Sequence, residues 1–291
     1  MTVELSPAPR ALPMLLRAQL LSGGFMNQFG WFFFGFGMIF ARVFAGNADV
    51  GAVRFWFADE KIVEGTVTAV EETGASEGGS DNSPGTPIYR IKYRYAPPED
   101  GKVREGVSYK LGFSSSTGST VRVEYLPGNP AVSRIEGCRG AMFSMWALFV
   151  LIFPLVGAVF VYFGIRKGIR ANHLLGHGKL AWGKLKSEEP TGARINNRVV
   201  MKLTFEFKAE DGSSNEVVAK THEPERLKDE EQEAVLYDPE APSYAVLKDS
   251  LPGSPEITPE GHLRAGRPAK GLVVLILPLL TLVGHAIPSL L

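Results

Sequence analysis

Three long stretches of this chain carry no Asp, Glu, Lys or Arg: AQLLSGGFMNQFGWFFFGFGMIFA from Ala18 to Ala41, AMFSMWALFVLIFPLVGAVFVYFGI from Ala141 to Ile165, and GLVVLILPLLTLVGHAIPSLL from Gly271 to Leu291. A helix rises about 1.5 Å per residue, so roughly 20 apolar residues span a hydrocarbon core. Inside lipid, backbone polar groups find partners only within a helix or a closed barrel. Each stretch is long enough, which predicts three transmembrane helices, at residues 25–45, 141–165 and 271–291.

The three differ in quality. The middle run has Trp146 near one end and Tyr162 near the other, as side chains anchored at two interfaces do. Pro154 is expected to kink it without ending it. Pro278 and His285 interrupt the last run. Asn27, Gln28 and five glycines from Gly23 to Gly37 dilute the first, offset by seven phenylalanines and Trp31. The first run is longer than a signal-peptide core, and AGNA after Phe44 is a poor cleavage site, so it reads as a retained span.

Orientation follows Lys and Arg close to the membrane ends. Arg166, Lys167 and Arg170 follow the middle run, Arg264, Arg267 and Lys270 precede the last, and Arg10 and Arg17 precede the first with Glu4 against them. All three clues place residues 1–24 and 166–270 on the cytoplasmic side and residues 50–137 outside. Arg42, Arg54, Arg134 and Arg139 point the other way, but long translocated segments are largely exempt from the rule. The expected location is a bacterial inner membrane.

Between the helices the pattern changes to short alternating strands. PIYRIKYRYA puts Ile91, Tyr93 and Tyr95 on one face and Arg90, Lys92 and Arg94 on the other, and LTFEFKAEDG does the same with Leu203, Phe205 and Phe207. EDG turns follow at Glu99–Gly101 and Glu210–Gly212. EGTV at Gly65 and AWGKL at Gly183 open the two regions, EETG and EEPTG follow, and VEYLPGNPAVSRI and VLYDPEAPSYAVL close them. Aligning Gly65 with Gly183 and Tyr125 with Tyr237 needs a net deletion of six residues, chiefly in TGASEGGSDNSPG. This is an internal repeat with three anchors in one order.

The fold class is therefore membrane α + β: three transmembrane helices and two small modules of about five antiparallel strands each. At 70 to 85 residues an open sheet is marginal, so closure into an SH3-like or OB-like barrel is expected. The second module spans residues 166–250 with a basic juxtamembrane helix, and 251–270 reads as a linker. In the closing hairpins, Val123, Tyr125, Val235 and Tyr237 point into the cores. Pro127 and Pro239 set turns, type II for Pro-Gly and type I for Asp-Pro, and Pro130 and Pro242 begin return strands.

With these elements assembled, the chain resembles a bacterial membrane-protein family catalogued as domain of unknown function 3592, with two copies of its module. GSTVRVEYLPGNP, from Gly118 to Pro130, carries the resemblance in the first copy. GIRKGIRANHLLGHGKLAWGKL and VLYDPEAP carry it in the second. Glu230 and Glu233 stand where the first copy has Gly118 and Val121, which places the strand register there in question. The resemblance implies an integral membrane protein with β modules and implies no activity.

Candidate chemistry is sparse. Balanced charge, 31 Lys and Arg against 31 Asp and Glu, argues against a dedicated nucleic-acid binder. A single cysteine, Cys138, excludes an internal disulfide and any multi-cysteine metal site. His173 and His177 sit four apart, as metal ligands on one helix face do, but Leu174 occupies the position where a zincin has Glu, and a helix C-terminus also suits His. SSSTGST, from Ser114 to Thr120, lacks GxSxG and any neighbouring base and reads as a hairpin loop. KDEEQE lacks calcium-loop spacing. His285 is the ionisable group within a predicted span. The resulting expectation is a scaffold or interaction protein with no enzyme activity, no cofactor and no metal. Its partners are the lipid bilayer and a second protein or another copy of itself. The alternative is an accessory or sensing subunit of a membrane enzyme or transporter.

Overall fold

The computed structural model describes residues 5–266 and 268–286. Glu4, Arg267 and the last five residues of the third apolar run lie outside the described residues. The chain forms two units, residues 1–36 with 154–291, and residues 37–153.

In the second of these units, five antiparallel strands run β1 (Lys61–Glu77), β2 (Thr86–Tyr95), β3 (Arg104–Leu111), β4 (Thr120–Leu126) and β5 (Asn129–Ile135), in the order β3-β2-β1-β4-β5. The alternation of PIYRIKYRYA is realised as read: Ile91, Tyr93 and Tyr95 are buried with Val67, Val123 and Tyr125, while Arg90, Lys92 and Arg94 face out. The open edges nearly meet. The Ile135 N–H donates to Ser108 Oγ at 2.9 Å, and Tyr109 and Arg139 exchange two backbone bonds of 2.8 Å. This makes the sheet a nearly closed barrel and leaves little free edge.

The other unit holds a second sheet of β6 (Lys179–Ile195), β7 (Arg198–Lys208), β8 (Ser214–Thr221), β9 (Glu233–Asp238) and β10 (Ala241–Leu247), in the order β10-β9-β6-β7-β8. It is the same order read in reverse. Registers match residue for residue: Gly65 pairs with Tyr95 and Val121, and Gly183 pairs with Phe207 and Glu233. The β9 register questioned at Glu233 thus matches that of β4, and a carboxylate occupies the place of Val121. Side-chain details recur as well. Thr73 Oγ1 donates to the Ile88 carbonyl at 2.8 Å and Thr191 Oγ1 to the Val200 carbonyl at 2.7 Å, while the Ala75 and Ala193 N–H groups each donate back to that threonine at 3.3 Å. The TG of each EETG-like stretch therefore shapes a bend in the long first strand.

The core fillings differ by compensating exchanges. Tyr93 lies opposite Gly106, whose missing side chain leaves room for the phenol ring, and its hydroxyl is 2.9 Å from Ser133 Oγ. At the matching positions the second sheet has Phe205, Val217 and Ala245, a dry set. Burial pushes the Tyr93 phenol up to about 12, so it stays neutral across the physiological range.

Helices and a short hairpin complete the first unit. α1 (Met14–Ser22) is separated from α2 (Phe25–Val43) by Gly23 and Gly24. The start of the first apolar run thus belongs to a separate helix, whose Leu16 and Leu20 are fully buried. A 3-10 turn at Met145–Leu151 leads into α4 (Ile152–His177), which follows the short α3 (Ala52–Trp56) of the other unit. Pro154 is the third residue of α4. It sits in the first α-helical turn, directly after the 3-10 turn, and does not end the helix. The predicted span and juxtamembrane helix are one continuous element of 33 residues, Met145–His177.

α2 and α4 run antiparallel through small residues. A Cβ on Gly30 would lie 2.6 Å from Val161 N, one on Gly164 would lie 2.8 Å from Asn27 Cβ, and Gly157 abuts the Phe34 backbone. Glycine at these crossings lets two backbones touch, the packing that holds helices together without a hydrophobic drive. α5 (Pro268–Ala286) lies parallel to α2: Gln28 Nε2 donates to the Val274 carbonyl at 2.7 Å, Gly35 faces Thr281, and His285 Nε2 is 3.0 Å from the Gly35 carbonyl.

Two helices, Phe25–Asn47 and Met145–His177, are long and apolar enough to cross a membrane, and only 22% and 17% of their most apolar windows are buried. The described apolar part of α5, Gly271–Ala286, is shorter. Leu251, the hairpin of β11 (Pro255–Ile257) and β12 (Leu263–Ala265), and Leu236 of β9 pack with Leu12, Leu174 and Leu175. The stretch 251–270 read as a linker is therefore largely built into a core.

Candidate functional site

The residues singled out by the repeat converge on one structural device in each sheet. Gly65 and Gly183 are the fifth residues of equal 17-residue strands, and a side chain there would strike Val123 or Val235. Tyr125 and Tyr237 end the core face of β4 and β9, and each reaches an EDG turn. The Tyr125 hydroxyl donates to the Glu99 carboxylate at 2.8 Å, and Lys61 Nζ donates to the same carboxylate at 2.8 Å. In the second sheet the Glu210 N–H donates to the Tyr237 hydroxyl at 3.0 Å, and Lys179 pairs with the Glu210 carboxylate. Lys, EDG glutamate and tyrosine thus latch the start of the first strand, the β2–β3 or β7–β8 turn and the closing hairpin. Asp100 and Asp211 shape those turns by accepting from the N–H two residues on, at 3.1 and 2.9 Å. The pairing with Lys61 and the hydrogen bonds from Tyr125 and the turn backbone hold the Glu99 carboxyl below its ordinary value.

Pro127 and Gly128 form the turn between β4 and β5, and Pro239 and Glu240 the turn between β9 and β10. Gly128 does not take a positive φ. The expected type II turn, which needs one there, is not formed. Pro130 and Pro242 are the second residues of the return strands, and the Pro130 carbonyl accepts from the Tyr95 hydroxyl. These ten positions shape the two sheets, and two of them, Tyr237 and Pro239, also line a groove of the second sheet.

An open groove of about 1100 Å³ lies in the first unit, bounded by residues 5–10, the end of α4 and the outer face of β6 and β7. Arg10, His177, Lys179, Lys184 and Lys208 line it with Trp182, Glu206 and Glu210. Arg10 spans the α4 C-terminus: its guanidinium donates to the Leu175 carbonyl at 2.8 Å and the Gly178 carbonyl at 2.6 Å, and its backbone N–H donates to Gly176. A cation at that pole satisfies carbonyls that have lost their helical donors and complements the helix dipole. Burial lowers the Arg10 pKa without threatening its charge. Ser214 Oγ donates to Glu206 at 2.6 Å, leaving Lys184 and Lys208 without a carboxylate at ion-pair distance among the described residues. The groove thus offers two uncommitted ammonium groups beside a part-exposed indole, chemistry suited to an acidic, partly apolar segment.

His173 and His177 stack at 5.0 Å, and His173 Nε2 is 3.5 Å from Asp238. Among the described residues no group of three His, Cys, Asp or Glu gathers as metal ligands. Cys138 lies in the barrel core, where burial pushes its thiol up. That position keeps it from a partner chain and disfavours the reactive thiolate.

Glu233 had no role in the sequence reading beyond its mismatch. It is 2% exposed, opposite Gly183, with only a long 3.4 Å bond from the Glu230 N–H. Burial, then the nearby Asp249, Asp229 and Glu230 carboxylates, raise its carboxyl to about 7. The Arg10 cap has no local signal, because its partners lie some 165 residues away. The Lys61 and Lys179 latches were reachable, since both open the aligned strands.

Comparison with family models, with curated proteins and with solved structures returns no match for this chain.

Proposed function

We propose that this chain is a multi-pass protein of a bacterial inner membrane, carrying one β module twice, and that it acts as a non-enzymatic scaffold. The observation that carries the reading is exposure. α2 presents Phe25, Phe32, Phe36, Ile39 and Phe40 outward, and α4 presents Leu155, Val159 and Phe163. A helix in the core of a water-soluble protein hides such faces, and lipid is the solvent that tolerates them. Parallel α2 and α5 with antiparallel α4 agree with three alternating spans, and the basic residues beside them agree with a cytoplasmic second module. Shared strand order, register and Thr73/Thr191 hydrogen bonds support duplication. β1 beside β4 and β3 near β5 favour an OB-like barrel over an SH3-like one. The resemblance to domain of unknown function 3592 is consistent with all of this. In the cytoplasmic module, the Lys184–Lys208 groove is the docking place for an acidic segment of a protein partner.

The test is cysteine labelling of Ser76→Cys and Ser213→Cys, each in a Cys138→Ala background, with a membrane-impermeant maleimide in intact spheroplasts. Ser76→Cys should label before lysis and Ser213→Cys only after it. Labelling of both before lysis overturns the topology.

A second reading, an accessory subunit that couples the two sides of the membrane, draws on one feature: α4 passes into β6 with only Gly178 between them. It predicts a co-purifying membrane partner lost on deleting either module.

A further inference from the structure

The first apolar helix does not lead straight into the barrel. Between them, residues Val50 to Phe57 carry the short helix α3, whose outward side chains are mostly apolar. Phe57 is 86% exposed, Trp56 60% and Val50 59%, with Val53 also exposed. Only Phe55 turns inward, where the Arg134 guanidinium lies 4.2 Å from its ring centroid. Sequence and folding thus spend four large apolar side chains on a surface, and burying each is worth about 1.5–3 kcal/mol.

The patch is held at a defined place. The Asp49 N–H donates to the Phe143 carbonyl at 2.9 Å, and the Phe143 N–H donates to the Asn47 carbonyl at 2.9 Å. Asp49 Oδ2 accepts from the Gly140 N–H at 2.7 Å and Oδ1 from the Ala52 N–H at 3.1 Å, tying the start of α3 to the segment that enters the second long helix. Phe44 packs on Phe143 with centroids 5.0 Å apart. A few residues further on, Trp146 and Phe149 stack outward at 5.5 Å, both more than 60% exposed. One cross-connected platform therefore carries the end of the first apolar helix, the start of the second, and α3.

We infer that Val50–Phe57 is an interfacial anchor that seats Trp56 and Phe57 at the headgroup–acyl boundary of the membrane surface facing the first barrel. Three features select lipid over a protein partner. The patch lies within a few residues of the ends of the two apolar helices, and it combines Trp and Phe with an exposed Arg54, the amphipathic mixture that suits an interface. It is also pinned to the two points where chain enters and leaves those helices. The anchor would fix the barrel's base against the bilayer and shorten the free path between helix and β1. The inference rests on the membrane reading above.

The chain has four tryptophans, so single-Trp variants are accessible by Trp→Phe replacement of the other three. Each is reconstituted into phosphatidylcholine vesicles carrying bromine at shallow (6,7) or deep (11,12) acyl positions. The Trp56-only protein should lose at least half its fluorescence in brominated lipid, more with shallow than with deep bromines, and the Trp182-only protein should lose none. If Trp146-only is quenched and Trp56-only is not, the anchor is refuted and the membrane reading stands. If neither is quenched, the membrane reading itself fails. Should the Trp replacements impair folding, a nitroxide on Phe57→Cys in the Cys138→Ala background reads the same depth. Oxygen must then relax it more than an aqueous nickel chelate does, and the opposite ratio refutes the anchor.

Discussion

A buried carboxyl raised toward neutrality makes the second sheet sensitive to pH, and Glu233 is the place to measure it. Its folded-state pKa is about 7 against an ordinary value of 4.5. Because the folded state holds the proton more tightly than the unfolded one, stability from this group is intact below about pH 4.5 and falls as pH rises to 7. The loss levels off above that. At about 1.4 kcal/mol per unit, a gap near 2.5 units corresponds to roughly 3 kcal/mol. Glu233→Gln keeps the shape and cannot ionise, and Glu233→Val installs the residue of the first sheet. Either should match wild type near pH 4 and exceed it by up to about 3 kcal/mol at pH 8, on the order of 6 to 10 °C in melting temperature. The assay is thermal unfolding of the full chain in nanodiscs with Trp182 as the sole tryptophan. It lies on β6 opposite Ala234, next to Glu233. If wild type and Glu233→Gln melt in parallel from pH 5 to 8, the buried-carboxyl argument is wrong.

Three further outcomes follow from the packing. Arg10→Ala strips the α4 C-terminus of its cap and should cost about 1.5–3 kcal/mol, seen as faster amide exchange at Leu175–Gly178; Arg10→Lys should recover only part, since an ammonium cannot reproduce the planar fork. Arg134→Val leaves Glu124, which is 7% exposed and bonded to Arg134 at 2.6 Å, buried without its partner, a loss of about 3–5 kcal/mol; the double change Glu124→Leu/Arg134→Val should be near neutral in urea melts. Gly164→Leu forces α4 away from Asn27 and should lower detergent-resistant stability by at least about 1–3 kcal/mol, with Gly164→Ala milder in the same melts.

How much of this was legible beforehand depended on the range of the interaction concerned. Alternation in PIYRIKYRYA and LTFEFKAEDG located β2 and β7 because a strand's two faces are written in adjacent residues. The repeat carried the strand pairings, since the same offsets recur from Gly65 to Tyr125 and from Gly183 to Tyr237. The change from 3-10 to α-helix just before Pro154 was not legible, because a 3-10 turn in an apolar run leaves no composition signal. The 251–270 segment read as a linker on its prolines and glycines, yet Leu251 and Leu263 find partners in Leu12 and Leu174, far away in sequence. Nor could the charge pattern reveal that Arg10, counted as an orientation signal, is held on helix carbonyls.

The matching outer positions of the two sheets show why the repeat is faint despite a shared backbone plan. Glu124 on β4 faces Arg134 on β5, and the aligned residues on β9 and β10 are Leu236 and Val246. The ion pair sits beneath Phe55, whereas Leu236 belongs to the cluster formed by α1, α4 and the β11–β12 hairpin. One strand pair thus turns a charged face to a single aromatic ring and its counterpart an apolar face to helices. What must stay common is confined to the inward alternation and the Lys–Glu–Tyr latch, because these close the barrel. What each barrel rests against is free to differ, and with it nearly every outward residue. The short shared string VxYxPxxP therefore falls where both sheets turn side chains inward and enter their last hairpin, and the residues around it suit two different neighbours.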